Sequence, residues 1–382
     1  MTSLDLALPV SRSTSRYQAD VTRAWQCNDW TGAAATPFQH AEWLNAFYDA
    51  AAADSSLEPL LVTVRNGLGE IALRLPLLKR QKDNLSVIEF ADLGMTDYNA
   101  PLLGPAAPQS IAEARKIWRA IRRVLPKADL LSLQKMPLQL DGKTNPLGLL
   151  VAATPCAANG NPLAIGEDWE AFRFSWERTY RKELERSWRV FTRNPEAQFR
   201  VVSDAAQALR ILEVMDSQQR ERMADVGANY TLDEPLSADF YRRLVTENAA
   251  NGFVSLTALM AGDEVVAALL GVCHRDTYVM IRICNSGGVW SNCSPGRLII
   301  ERTMAHLHAR GFRVFDFSVG NYAYKRRFGV TRLPLVDLTA ALSPRGLPLL
   351  LRTRLAALTR QYPRLHAFIR KSLGKPVSRE EV

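Results

Sequence analysis

The stretch SPGRLIIERTMAHLHARGFRVFDFSVGNYAYKRRFG, residues 294–329, decides the fold of this chain. It opens on Ser294-Pro295-Gly296, and proline at a first helical position has its φ angle preset and gives up no hydrogen bond there. Leu298, Ile299, Met304, Leu307 and Phe312 then recur at steps that line one face of a helix. Gly311 suits the position just past a helix end. Arg313 to Ser318 alternates as a short strand, with Val314 and Asp316 on one face and Phe315 and Phe317 around them. Gly320 closes the strand, and an aromatic and basic loop follows at 321–329. Helix, strand, glycine and cationic loop in that order make a place to hold an anion and a polarised carbonyl. The free N–H groups and the dipole at the Ser294–Gly296 end suit a phosphate, although the same three residues also open many ordinary helices.

Upstream, residues 169–193 read as one helix, with Tyr180, Leu184, Trp188 and Phe191 on one side and five cations, including Arg181, around the rest. Two more helices are expected over 205–223 and 237–251. A hairpin of apolar strands follows at 253–260 and 264–273, then a strand at 277–284 that leads into the opening helix. A last strand is expected at 331–339. The first half has the same order in coarse terms. A helix starts near Pro37, strands at 58–65 and 70–78 are joined by Asn66-Gly67-Leu68-Gly69, and a third strand covers 86–90. A loop over 92–101, a basic amphipathic helix over 111–125 and a strand at 129–134 complete it. Residues 137–165, rich in Pro, Gly, Asn and Ala, read as a crossover between the halves. The repeated element order implies a mixed α/β chain with an internal duplication.

A chain of 382 residues exceeds one typical domain. The apolar share of 47% and charged share of 23% are those of a soluble globular protein. No apolar run approaches the roughly 20 residues that span a bilayer. The first sixteen residues lack the basic and apolar segments of a signal peptide. Five scattered cysteines without a C-x-x-C pair argue against zinc and disulfides and for a reducing cytoplasm. No P-loop or H-E-x-x-H motif occurs, and the five histidines sit near no nucleophile in sequence.

The net charge of +9 belongs to the tail. Residues 345–382 hold nine Lys or Arg and two acids, +7, and the other 344 residues balance 39 cations against 37 acids. A nucleic-acid role for the body is therefore disfavoured. Leu351, Leu355, Leu358, Tyr362, Leu365, Ile369 and Leu373 form a helical stripe in that tail. With cations on the other face it suits an anionic membrane surface, the alternative being a helix docked on the body with its arginines in water.

The hairpin, the strand, the Ser-Pro-Gly helix and then F-D-F-x-x-G-x-x-x-Y-K-x-x-F-G together resemble the GNAT-like acetyltransferase domain of the CelD-like type. More distantly they are similar to the Fem-type aminoacyl transferases, which use tandem GNAT folds. The resemblance covers residues 170–335, more faintly 37–44 and 92–103, and leaves out the tail. It implies an α/β (α+β) chain of tandem GNAT-like domains, each a mixed central sheet flanked by helices. The expected limits are an arm at 1–15, domains at 16–165 and 166–344, and a basic helical tail at 345–382.

The resemblance also implies acyl transfer from a thioester, acetyl-CoA, to an amine or hydroxyl, with no metal. Ser294, Pro295, Gly296 and Arg297 map to the pyrophosphate site, without the fuller glycine-rich loop of typical GNAT enzymes. Lys325 matches the lysine that stabilises the oxyanion in Fem-type relatives, a kind of contact worth about 10²–10³ in rate. Tyr324 is a candidate donor to the leaving thiolate, and Asp316 a base or an orienter of Lys325. Each also has a plainer reading: a solvated basic loop, aromatic packing, and a buried carboxylate paired to an arginine. Asp97, Tyr98, Arg181 and Asn321 are candidates to line the acceptor site. Asn321 stands where relatives commonly carry an acid, and asparagine cannot accept a proton as a base.

Three functions follow. The first is an N- or O-acyltransferase acting on a cell-envelope or exopolysaccharide precursor, held near anionic lipids by residues 345–379 at the inner face of the membrane. The second is a Fem-type enzyme using aminoacyl-tRNA, which the near-neutral body disfavours. The third is a non-catalytic accessory protein of a membrane polysaccharide machine.

Overall fold

The computed structural model describes residues 16–23, 32–225, 234–320 and 322–360. The arm at 1–15, Asn321 and residues 361–382 lie outside these. In the first half the chain forms β1 (Gln18–Thr22), α1 (Ala41–Ala51), β2 (Glu58–Arg65), β3 (Ile71–Lys82), β4 (Leu85–Phe90) and β5 (Leu102–Leu103). It continues through α2 (Ile111–Val124), β6 (Leu130–Pro137), the small pair β7 (Gln139–Leu140) and β8 (Lys143–Thr144), and β9 (Ala153–Gly160). The local causes are visible in the sequence. Asn66 Oδ1 accepts from the amides of Leu68 and Glu70 and closes the β2–β3 turn. Ser110 caps α2 by accepting from the Glu113 amide, and Arg122 and Arg123 sit at the negative end of its dipole.

The second half runs β10 (Pro162–Ala164), α3 (Trp169–Ser175), α4 (Arg178–Phe191), β11 (Ala197–Val202), α5 (Ala205–Asp225) and α6 (Pro235–Asn248). Strands β12 (Val254–Ala261), β13 (Glu264–His274) and β14 (Thr277–Asn285) follow. Next come α7 (Pro295–Ala309), β15 (Val314–Asp316), α8 (Ala323–Arg326), β16 (Leu333–Ala341) and α9 (Leu347–Arg360). The helix expected over 169–193 is two helices. Trp176 and Glu177 leave the helical region with ψ of 152° and 137°. That break buries Trp176 among the rings of Phe172, Tyr180 and Phe328.

Each half carries an antiparallel run ending in one parallel pair. In the first sheet, ordered β1-β2-β3-β4-β6-β16-β9, the parallel pair is β4/β6 with α2 as the crossover. In the second, ordered β10-β15-β14-β13-β12-β11, it is β14/β15 with α7 as the crossover. The halves share this layout, but they do not separate at residue 165. Strand β16, expected in the second sheet, inserts between β6 and β9 of the first. Strand β10, expected within the crossover between the halves, pairs with β15 in the second. The supposed crossover is thus largely strands. Each half completes the other's sheet, so the boundaries 16–165 and 166–344 are corrected to an exchange.

Three apolar clusters result. Helix α2 covers one face of the first sheet through Ala114, Ile117 and Ile121. Helices α7 and α4 cover one face of the second through Leu298, Ile299, Leu184 and Phe191. The third cluster lies between the halves, where Trp43 and Phe47 of α1 meet Phe240 of α6. Tyr98 and Met95, from the 91–101 loop, join it.

Candidate active site

Strands β14 and β15 stay paired over three positions only: Thr277 with Val314, Tyr278 with Phe315, and Val279 with Asp316. Strand β15 ends there, while β14 runs on to Asn285 and carries an unpaired extra residue, Ile281, where its register with β13 shifts. The two strands therefore part beyond Val279. The backbone of β14 on that side loses its strand partner, and Ile283 O accepts instead from Gln219 Nε2 at 2.9 Å.

Asp316 is the last residue of β15 and stands at this parting. Phe315 and Phe317 point into the α7 side of the sheet, so period-two alternation sends Asp316 toward the first half. Its Oδ1 accepts from the Tyr98 hydroxyl at 2.9 Å and from the Ser318 amide at 2.6 Å. Among the described residues no arginine pairs with it. Burial pushes its carboxyl up to about 6, against the opposing pull of the Ser318 amide, the Tyr98 hydroxyl and Lys325. Burial and the Asp316 charge together raise the Tyr98 phenol well above its usual value. Asp97, its own carboxyl raised by burial, accepts from Ser318 Oγ at 2.5 Å. Gly160 permits this arrangement, since a Cβ there would lie 2.3 Å from the Tyr98 hydroxyl oxygen.

Ser318 is the hub that sequence reasoning missed. Its φ of +61° is uncommon for a residue with a side chain, and its surroundings fix it. Its amide meets Asp316 and its hydroxyl meets Asp97. Its carbonyl accepts from Asn161 Nδ2 at 2.6 Å, as does the Gly320 carbonyl at 2.8 Å. Lys325 holds the other two carbonyls of the turn. Its ammonium donates to Phe317 O at 2.8 Å and to Val319 O at 2.7 Å. The residue is 2% exposed and lies in the helical turn α8, so the solvated basic loop is excluded for Lys325. Burial pulls it down to about 8, against Asp97 and Asp316. With a longer contact to Ser318 O at 3.5 Å beside those to Phe317 O and Val319 O, Lys325 acts here first by positioning the turn. Only buried polar chemistry in the Asn159-Gly160-Asn161 run hinted at this partnership.

At the start of α7, Ser294 adopts φ +47° and ψ 58°, and Pro295 has no N–H. The amides of Arg297 and Leu298 already donate to Ser294 O, which leaves the Gly296 amide as the available backbone donor. A Cβ on Gly296 would come within 3.0 Å of Asn285 Oδ1. The Arg297 guanidinium donates to Ser294 Oγ and to Glu183 Oε2, each at 2.8 Å. Arg327 reaches the same Glu183 oxygen at 3.6 Å. A carboxylate of the chain itself thus sits between two guanidinium groups beside this helix start, and the site fits an anion.

The remaining candidates are placed apart from this cluster or beside it. Tyr324 is half-buried against Phe317 and Tyr322, and burial pushes its phenol up to about 12. Packing is therefore its observed role. Arg181 stacks on Phe174 with its guanidinium 4.4 Å from the ring centre. Asn321 lies outside the described residues. On the interdomain side of β14, Arg282 pairs with Asp216 at 2.6 Å, donates to Gln219 and lies over the Tyr241 ring, a buried group the sequence gave no reason to single out. Among the described residues, no cluster of His, Cys, Asp or Glu could hold a metal.

A parallel pair that parts beyond a bulge, a crossover helix between its strands and a buried carboxylate at the parting are the features set against known proteins. A family model of the acetyltransferase (GNAT) domain matches residues 178–326, from α4 through α8. Among solved structures, the chain superposes on FemX with a TM-score of 0.56 and 10% identity, over 83% of this chain and 94% of that one. L-PGS from Bacillus licheniformis gives 0.48 and 9%, over 85% and 97%. A tandem GNAT protein from the clavulanic acid biosynthesis pathway gives 0.44 and 11%, over 86% and 99%. At such identities the likeness is one of fold. No curated protein matches the sequence.

Proposed function

We propose that the chain moves an acyl group from a CoA thioester to an amine or hydroxyl of a cell-envelope or exopolysaccharide precursor, on the cytoplasmic side. The observation that carries this reading is Asp316, a buried carboxyl titrating near neutrality at the point where β14 and β15 part. A CoA thioester supplies an activated carbonyl and a thiolate leaving group. The Gly296 amide, Arg297 and Arg327 would hold its pyrophosphate. Asp316 takes the proton that the acceptor gives up as its nitrogen or oxygen attacks the carbonyl. Tyr98 and the Ser318 amide keep the carboxylate aimed, and Lys325 holds positive charge next to the reacting group. Because Asp97 and Tyr98 come from the other half, an acceptor reaching Asp316 touches both domains. That suits a glycan-sized acceptor. The resemblance to CelD-like sequences supports the envelope assignment.

Calorimetric titration with acetyl-CoA tests the donor. Binding near micromolar that disappears in Gly296→Glu, which sets a carboxylate at the α7 start, supports the reading. Absence of heat at millimolar ligand overturns it. Titration with aminoacyl-tRNA then tests the Fem-type alternative.

A further inference from the structure

Helix α9 turns its stronger apolar stripe away from the protein. Its docked side faces β9 and β16 through Ala357, which is buried, and through Leu349, Leu350 and Thr353, which are half-buried. Leu347, Leu351, Leu355 and Leu358 are 48%, 60%, 61% and 53% exposed. At about 100° per residue these four leucines form one strip roughly 80° wide, set nearly opposite the docked side. Lone exposed leucines are ordinary, but a continuous strip along one helix asks for a cover. Of the two readings of this stripe, the helix docked on the body through it does not fit Leu351, Leu355 and Leu358, while its positions from Tyr362 to Leu373 lie outside the described residues.

Charge identifies the cover. Arg354 lies beside the strip on one edge and Arg352 beyond the other, and neither makes an ion pair among the described residues. No Asp or Glu occurs from residue 345 to residue 379, whereas nine Lys or Arg do. A helix partner in another protein would be met by mixed charges along its rim. A one-sign rim around an apolar strip matches a surface that is itself anionic and has an apolar layer beneath. Among the described residues no helix is long and apolar enough to cross a membrane, and the side-by-side apolar and cationic faces of α9 suit it to lie in the plane of a bilayer surface.

We propose that α9 docks the protein on an anionic lipid surface, with Leu347, Leu351, Leu355 and Leu358 entering the acyl boundary and Arg352 and Arg354 at the headgroups. This proposal is independent of the donor and acceptor assigned above.

The test is flotation of the full chain with vesicles containing phosphatidylglycerol, compared with pure phosphatidylcholine. Binding to the anionic vesicles is expected, and it weakens as salt rises. The pair Leu351→Glu with Leu355→Glu should lower the partition constant at least about 30-fold, since two leucines leave the bilayer and two anions are added. The pair Arg352→Glu with Arg354→Glu should lower it about tenfold or more. Both pairs replace solvent-facing side chains, so unchanged thermal melting verifies the fold. No flotation, or flotation equal in the leucine variant, overturns the proposal. So does a wild-type dimer in sedimentation that becomes monomeric in the leucine variant without vesicle binding, which would assign the strip to a second copy.

Discussion

The Tyr98 hydroxyl donates to Asp316 Oδ1 at 2.9 Å across the boundary between the two halves, and both side chains are closed to water. The bond joins residues 218 positions apart. It makes the first domain a working part of the second domain's reacting group. Removing the hydroxyl removes a donor that favours the ionised carboxylate. Tyr98→Phe should therefore move the acid limb of kcat/KM upward from its expected position near 6. It should also cost about 1–2 kcal/mol in denaturant unfolding. A limb that stays in place would separate Asp316 from the proton transfer.

Asp316→Asn separates stability from activity. The folded-state value near 6 lies above the ordinary 3.8, so the native protein holds the proton more tightly than the unfolded chain. Stability contributed by that proton is present at low pH and is lost as pH rises from 3.8 through about 6. Asparagine keeps an oxygen for Tyr98 and Ser318 and carries no charge. The variant should lose about 10²–10⁴ in kcat and gain about 1–3 kcal/mol near pH 7.5. Unfolding curves that fall together with activity would argue for a purely structural carboxylate.

Lys325→Met retains most of the buried volume and removes the ammonium. Phe317 O and Val319 O then lose their donor inside a closed site, and the Ser318 turn loses its constraint. A loss of about 2–4 kcal/mol is expected, with activity falling at least tenfold. In the wild type the lysine should deprotonate near 8, giving kcat/KM an alkaline limb there above the acid limb of Asp316. That upper limb should vanish from the residual activity of Lys325→Met.

The element order, the apolar faces of α7 and α4 and the strand that carries Asp316, expected over 313–318, were legible because period and punctuation are local properties of sequence. The exchange of β10 and β16 was not. Leu333–Ala341 alternates as any strand does, and nothing local says which of two sheets it will enter. The same blindness hid Ser318, whose role depends on Asp97, Asn161 and Lys325 arriving from three directions. Lys325 was singled out by its match to a lysine of Fem-type sequences, but its burial reflects the Phe317–Val319 carbonyls, which no side-chain pattern encodes. The α9 stripe was legible as a helix over residues 347–360, but which way it faces was left open between a membrane surface and the body, because periodicity gives a face and no direction.

The exchange makes one folding unit of two similar domains. Without β16, Leu335 and Leu338 leave the first half, and without β10, Leu163 leaves the second. Urea unfolding followed by tryptophan fluorescence and far-ultraviolet circular dichroism should give one coincident transition. Residues 16–160 expressed alone should be insoluble or unfolded. Two separated transitions would mean that the shared strands add little.

Glu183 bears on how an anion gains access to the start of α7. Its carboxylate pairs with Arg297 at 2.8 Å and Arg327 at 3.6 Å, all three side chains being partly exposed. Exposed pairs of this kind contribute at most about 1 kcal/mol, so the contact is easily opened. An arriving pyrophosphate must still displace the carboxylate and then sit beside it. Glu183→Gln removes that competitor and the repulsion while leaving both guanidinium groups in place. Acetyl-CoA should bind about three- to tenfold more tightly to the variant, with the advantage shrinking at high salt. Arg297→Gln should weaken binding by a similar factor or more. If Glu183→Gln instead weakens binding, the carboxylate serves to hold the two arginines in place for the donor, and the anion enters without displacing it.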